Sequence, residues 1–111
     1  MRSTINKYHN KKTTIDGITF DSKAEAARWK ELKLMERAGI ITELHRQPVF
    51  DLTPNFRCNG HFYRRMQYIA DFSYKENGIL VVEDVKGVRT KEYLIKRKLM
   101  AWVHGIEIRE V

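Results

Sequence analysis

A single cysteine, two prolines and six glycines among 111 residues rule out several structural classes at once. One thiol, Cys58, allows no intrachain disulfide and no zinc cage built from cysteines. Such thiol usage fits a reducing compartment, and the cytoplasm is the expected one. No apolar run approaches the roughly 18 residues of a membrane span, so no membrane partner is expected. Residues 1–12 lack the apolar stretch of a secretory signal. Acidic residues are also scarce: 14 Asp and Glu stand against 21 Lys and Arg, for a net charge of +7. The hydrophobic fraction, 42%, is ordinary for a globular protein and argues against global disorder. The length suits one domain with a modest core.

The positive charge is grouped. Residues 1–12 contain Arg2, Lys7, Lys11 and Lys12 and no acid, and read as a basic N-terminal arm ahead of a single domain, 13–111. Residues 86–98 hold Lys86, Arg89, Lys91, Lys96, Arg97 and Lys98 against Glu92 alone, and Arg57, Arg64 and Arg65 form a third group. This distribution favours a nucleic acid as partner. The candidate DNA contacts are Lys7, Lys11, Lys12, Arg64, Arg65, Arg89, Lys91, Lys96 and Lys98. For those near residue 95 the other reading is the solvated side of an amphipathic helix. His9, His45, His61 and His104 show no metal-ligand spacing, and Trp29 and Trp102 are expected in the core rather than as stacking platforms.

The elements run hairpin, helix, strands, helix, strand, which gives a mixed α/β domain with a central sheet flanked by helices. Residues 13–20 read as a hairpin around Asp16-Gly17, a pair suited to positive φ angles. A helix is expected over 22–38, with Ser22 as N-cap, Glu25 completing a capping box and Gly39 as the stop. Residues 40–52 read as extended, broken at Pro48, and 53–60 as a loop. Strands over 62–75 and 79–86 flank Asn77-Gly78 and form a second hairpin. A helix over 90–104 ends at Gly105, and 106–111 reads as a last strand.

The second hairpin carries the chemistry. With Asn77 and Gly78 as central turn residues, Glu76 pairs with Ile79 and Asp71 falls opposite Asp84. Strand side chains alternate, so Asp71, Asp84 and Lys86 share one face. Opposed like charges are destabilising; a bound divalent cation removes the conflict, and hard oxygen ligands suit Mg²⁺ or Mn²⁺. Alternatively Lys86 neutralises the pair, or a one-residue slip separates the carboxylates. Glu83 falls on the apolar face opposite Phe72, an awkward place for a charge unless a base from the last helix meets it. Glu25 either caps its helix or, lying between Trp29 and Leu32 on the inward stripe, meets a metal or a metal-bound water.

A helix glutamate, then YIADF, then VVEDVKG resembles the PD-(D/E)XK, or restriction-endonuclease-like, nuclease superfamily. The stretches KKTTIDGITFDSKAEA and GIEIREV extend the likeness to a family of small phage and prophage proteins placed in that superfamily, which includes Holliday-junction resolvases and transposase endonuclease subunits. Ala70 replaces the proline of the motif's name, and Asp84 the commoner glutamate. The resemblance implies a restriction-endonuclease-like core. It also implies a phage- or prophage-encoded Mg²⁺- or Mn²⁺-dependent endodeoxyribonuclease in the bacterial cytoplasm, acting on branched or recombination intermediates. Asp71, Asp84 and the Val85 carbonyl would hold the metal, and Glu25 would join directly or through water. Lys86 would orient the attacking water and stabilise developing charge. Symmetric cutting of two strands implies a homodimer. The competing expectations are a non-catalytic DNA-binding module that keeps the nuclease fold, and a phage protein acting on a host or phage partner.

Overall fold

The computed structural model describes residues 12–86 and 88–111, so the expected arm contacts Lys7 and Lys11 lie outside the described residues. The chain is a mixed α/β protein that divides into two compact units, Met1–Ile40 and Ile41–Val111. Among the described residues no helix is long and apolar enough to cross a membrane.

In the first unit, β1 (Thr13–Ile15) and β2 (Ile18–Phe20) pair in antiparallel fashion through Asp16-Gly17, both at positive φ. The helix α1 (Lys23–Arg37) starts at Ser22, whose hydroxyl accepts the Glu25 backbone N–H at 3.1 Å. Gly39 follows its end with φ of 79°, the left-handed conformation that a helix stop requires. The buried side of α1 carries Glu25, Ala26, Trp29 and Leu32, and the Phe20 and Trp29 rings lie 6.0 Å apart.

The second unit contains a four-stranded sheet in the order β10-β9-β8-β3, formed by β3 (Thr42–Arg46), β8 (Phe72–Glu76), β9 (Ile79–Asp84) and β10 (Arg109–Glu110). β9 and β10 are parallel, connected by helix α2 (Lys91–His104); the other pairs are antiparallel. Two further pairs are β4 (Val49–Thr53) with β7 (Met66–Ile69), and β5 (Phe56–Cys58) with β6 (His61–Tyr63). Leu52, Tyr68, Ala70, Val82, Tyr93 and Met100 form the buried core of this unit. Thr90 caps α2 through the Tyr93 N–H, and Gly105 ends it in the left-handed region.

Three expectations change. Residues 53–60 contain β5, and Asn59-Gly60 turns it back into β6 with both φ angles positive. This is the same turn chemistry as at Asp16-Gly17, joining strands of only three residues each. The expected strand over 62–75 is three strands, interrupted where the chain passes between sheets. Trp102 is 85% exposed, not core: helical spacing gives it an apolar neighbourhood on α2 but nothing to pack against.

The β8–β9 register runs from Glu76↔Ile79 to Phe72↔Glu83, as the Asn77-Gly78 count requires. Gly78 has φ of 76° and open space around an added Cβ, so a side chain there meets conformational strain alone. Gly78→Ala should cost about 1 kcal/mol, read as a lower urea midpoint with unchanged m-value. No loss of stability would mean that the turn does not constrain this register.

Candidate active site

The site forms where β9 ends and β8 begins. Here β3 and β4 on one side, and β7 and β8 on the other, are two halves of one ribbon broken at Gln47-Pro48 and Ala70-Asp71. Pro48 has no N–H to give the ladder, and Gln47 adopts φ of 51°. The break is bridged by Gln47 N–H to the Asp71 carbonyl at 2.9 Å and Ala70 N–H to the Pro48 carbonyl at 3.1 Å. Asp71 therefore faces β9 with its own N–H.

Asp71 and Asp84 each accept a backbone N–H from the other's strand. The Asp71 N–H donates to Asp84 Oδ1 at 2.7 Å, and the Val85 N–H donates to Asp71 Oδ2 at 2.8 Å. Asp84 is 2% exposed. Lys86 Nζ stands 3.2 Å from Asp84 Oδ2 and 3.9 Å from the centre of the Tyr93 ring. Asp71, Asp84, Val85 and Lys86 are thus brought together, and Lys86 does neutralise Asp84. Burial pushes the Asp84 carboxyl above its ordinary range, opposed by the Lys86 ammonium and the Asp71 N–H.

A second polar group braces α2 against β10. Glu110 accepts from the Tyr93 hydroxyl at 2.6 Å, from Arg97 at 2.9 Å and from Arg89. The Tyr93 hydroxyl, followed by the two guanidiniums, holds the Glu110 carboxyl below the usual range. Burial, followed by the Glu110 bond, pushes the Tyr93 hydroxyl up. Glu83, fully buried, accepts from the Tyr74 hydroxyl, which in turn accepts from Arg109 at 3.2 Å. Arg109, from the last strand, approaches this group through the Tyr74 hydroxyl and also pairs with Glu76 at 3.4 Å, non-local contacts that local spacing does not reveal.

The other expected residues scatter. Lys96 pairs with Glu92 at 3.1 Å, Arg89 with Glu110, and Lys12 with Asp21 at 3.7 Å. Lys91, Lys98, Arg64 and Arg65 are exposed. Glu25 belongs to the first unit, and the observed half of its capping box uses its backbone N–H rather than its carboxylate.

Two aspartates and nearby backbone carbonyls are hard oxygen donors. Mg²⁺ takes one or two carboxylates and fills its remaining positions with water, so the donor set fits such a cation. Among the described residues no three His, Cys, Asp or Glu side chains gather as a metal-binding group.

Residues 5–109 match the model of a family described as protein of unknown function (DUF1064), and the chain belongs to that family. No curated protein and no solved structure matches it.

The two carboxylates give opposite stability effects. The folded pKa of Asp84 is raised, so its contribution is present at low pH and lost as pH rises through the shifted value. In chelator-containing buffer, Asp84→Asn, which keeps an oxygen for the Asp71 N–H but gives up the Lys86 ion pair, should gain stability relative to wild type as pH rises to 8. The gain should shrink toward the ordinary aspartate range; a melting-temperature difference that does not rise with pH contradicts the desolvation account. The folded pKa of Glu110 is lowered, so its contribution is present at neutral pH and lost as pH falls through the depressed value. Glu110→Gln should cost about 1 kcal/mol at pH 7 and nothing in strong acid, as measured by urea unfolding across pH.

Proposed function

We propose that this protein is a metal-dependent endodeoxyribonuclease with a restriction-endonuclease-like core of the PD-(D/E)XK type, hydrolysing phosphodiester bonds in branched or recombining DNA. The observation that carries the reading is the Asp71–Asp84 clasp with Lys86 Nζ 3.2 Å from Asp84. Two carboxylates beside a lysine at a strand end cost folding energy and are the donor set that metal-assisted phosphoryl hydrolysis uses. Family membership assigns no activity, so the reading rests on the site and on the motif pair YIADF and VVEDVKG.

In this reading Asp71, Asp84 and the Val85 carbonyl hold Mg²⁺ or Mn²⁺. When bound, the cation supplies charge neutralisation at the scissile phosphate and eases deprotonation of the attacking water. With Asp84 engaged in holding the cation, the Lys86 ammonium, now 3.2 Å from Asp84 Oδ2, would be available to the phosphate. Lys86 then orients the water and stabilises the extra negative charge of the transition state. Its seat against Tyr93, 3.9 Å from the ring centre, keeps the ammonium beside the site while it changes partner. Arg64, Arg65, Lys91 and Lys98 meet neighbouring phosphates without reading sequence, joined by Lys7, Lys11, Lys12, Arg89 and Lys96. A second copy would give paired cuts across a junction. The setting that fits is phage or prophage DNA metabolism in a bacterial cytoplasm.

A non-catalytic DNA-binding module is the second reading, favoured by the Lys86–Asp84 ion pair and by the lack of a three-residue ligand group among the described residues. Incubation of supercoiled plasmid and four-way junction DNA with Mg²⁺ or Mn²⁺ separates the two. Wild type should cleave, chelator should abolish cleavage, and Lys86→Ala should lose about 10²–10³-fold in rate. Asp84→Ala should be inactive yet still bind DNA. Tight binding with no cleavage by any of these proteins leaves the binding module as the function.

A further inference from the structure

The β5–β6 hairpin plays no part in the proposed chemistry, and folding alone does not explain its composition. Every residue of both strands is exposed. Phe56 and Tyr63 are cross-strand partners whose rings stack at 5.0 Å with an interplanar angle of 12°, and His61 meets Tyr63 edge-on at 4.6 Å. On the opposite face the Arg57 guanidinium lies 5.4 Å from the centre of its partner Phe62. Phe56, Tyr63 and Phe62 remain 44%, 45% and 49% exposed. A lone two-stranded hairpin is marginal in water and needs a packed face for stability; among the described residues neither face has one.

The arm is nevertheless fixed at its base. Asn55 Oδ1 accepts the Arg65 N–H at 2.6 Å, and Thr53 Oγ1 accepts the Met66 N–H at 3.0 Å. From residue 52 to residue 70 the chain contains no acid, while Arg57, Arg64 and Arg65 interleave with the aromatic rings. An apolar protein partner would bury these guanidiniums without countercharge, at considerable cost. A nucleotide strand instead offers a planar base and a phosphate at every step. In a duplex the bases are already stacked and closed to the rings; unpaired bases are not.

We infer that the β5–β6 arm is a docking surface for unpaired nucleotides, with bases stacking on the Phe56–Tyr63 face and on Phe62 and phosphates meeting Arg57, Arg64 and Arg65. Resting on the reading of the chain as a DNA-acting protein, it makes the single-stranded segments of branched DNA the recognised feature. Stacking on aromatic rings tolerates any sequence.

The test is fluorescence anisotropy of the full-length protein in chelator with labelled single-stranded, forked and blunt duplex oligonucleotides, alongside a single strand containing 2-aminopurine. Wild type should bind the single strand and the fork more tightly than the duplex and change the aminopurine emission. Phe56→Ala/Tyr63→Ala should weaken single-strand binding by about tenfold or more while leaving duplex binding within about twofold, and Arg64→Ala should lower the salt slope by about 0.7. Equal wild-type affinity for single strand and duplex with no aminopurine response overturns the inference. So does a wild-type dimer that the double variant dissociates, which would make the arm an interface between copies. The wild-type signals need no variant, so a misfolded double variant does not block the answer. Ring-dependent binding without cleavage would count against the nuclease and leave the arm standing; cleavage with ring-independent binding would do the reverse.

Discussion

Two carboxylates held beside each other at a buried strand end repel, and each resists leaving water. The second compact unit is organised around the way this conflict is met. Each aspartate takes a backbone N–H from the other's strand, Asp71 N–H to Asp84 and Val85 N–H to Asp71. Hydrogen bonds to ionised acceptors are worth roughly 1.5–3 kcal/mol each, enough to offset much of the repulsion without removing the charge. The same stretch of β9 is held from the other side as well. The Val111 N–H donates to the Asp84 carbonyl at 3.0 Å, and the Lys86 N–H donates to the Val111 carbonyl at 3.3 Å. Asp84 is therefore the residue where three strand segments meet, its carboxylate tied to one neighbour and its carbonyl to the other.

Pro48 and Asp71 then explain each other. An unbroken ribbon from β3–β8 through to β4–β7 would direct the Asp71 N–H into an ordinary ladder bond. With proline opposite and Gln47 in the left-handed region, the ribbon bends. Asp71 stays linked to it by the Gln47 N–H to its carbonyl, and its own N–H turns toward β9, where the Glu83 carbonyl at 3.2 Å shares it with Asp84. A break that weakens the sheet is thus what positions the aspartate.

Legibility follows contact distance along the chain. Asn77-Gly78 fixes the turn, the turn fixes the register, and the register sets Asp71 opposite Asp84. Each step is local, so this part of the site can be counted from sequence. Glu83 could not be assigned a partner because Arg109, which contacts the Tyr74 hydroxyl, lies 35 residues beyond Tyr74. Trp102 shows the complementary limit: spacing places a residue on a helix face but cannot say whether anything covers that face. The β5–β6 arm shows in the sequence chiefly as Asn59-Gly60, since each of its strands is three residues long, too short for a periodic pattern to carry.

Glu83 and Asp84 are adjacent acids with different fates, and the difference indicates which of them retains chemical freedom. Glu83 is fully buried and accepts from the Tyr74 hydroxyl, a rigid aromatic donor on the neighbouring strand that Arg109 of β10 also meets. Rearranging that network would disturb β8 and β10 together. Asp84 is answered on Oδ1 by backbone and on Oδ2 by an ammonium at the end of a four-carbon stem, with the Lys86 side chain 22% exposed. Backbone partners cannot leave without unfolding the strand ends; a lysine can swing away if another cation takes its place. A divalent ion attracts a carboxylate more strongly than an ammonium does, and it relieves the like charge of Asp71 at the same time. The Asp84–Lys86 contact is thus the one element of the clasp that can be exchanged while the β8–β9 register, and with it the fold of this unit, stays intact.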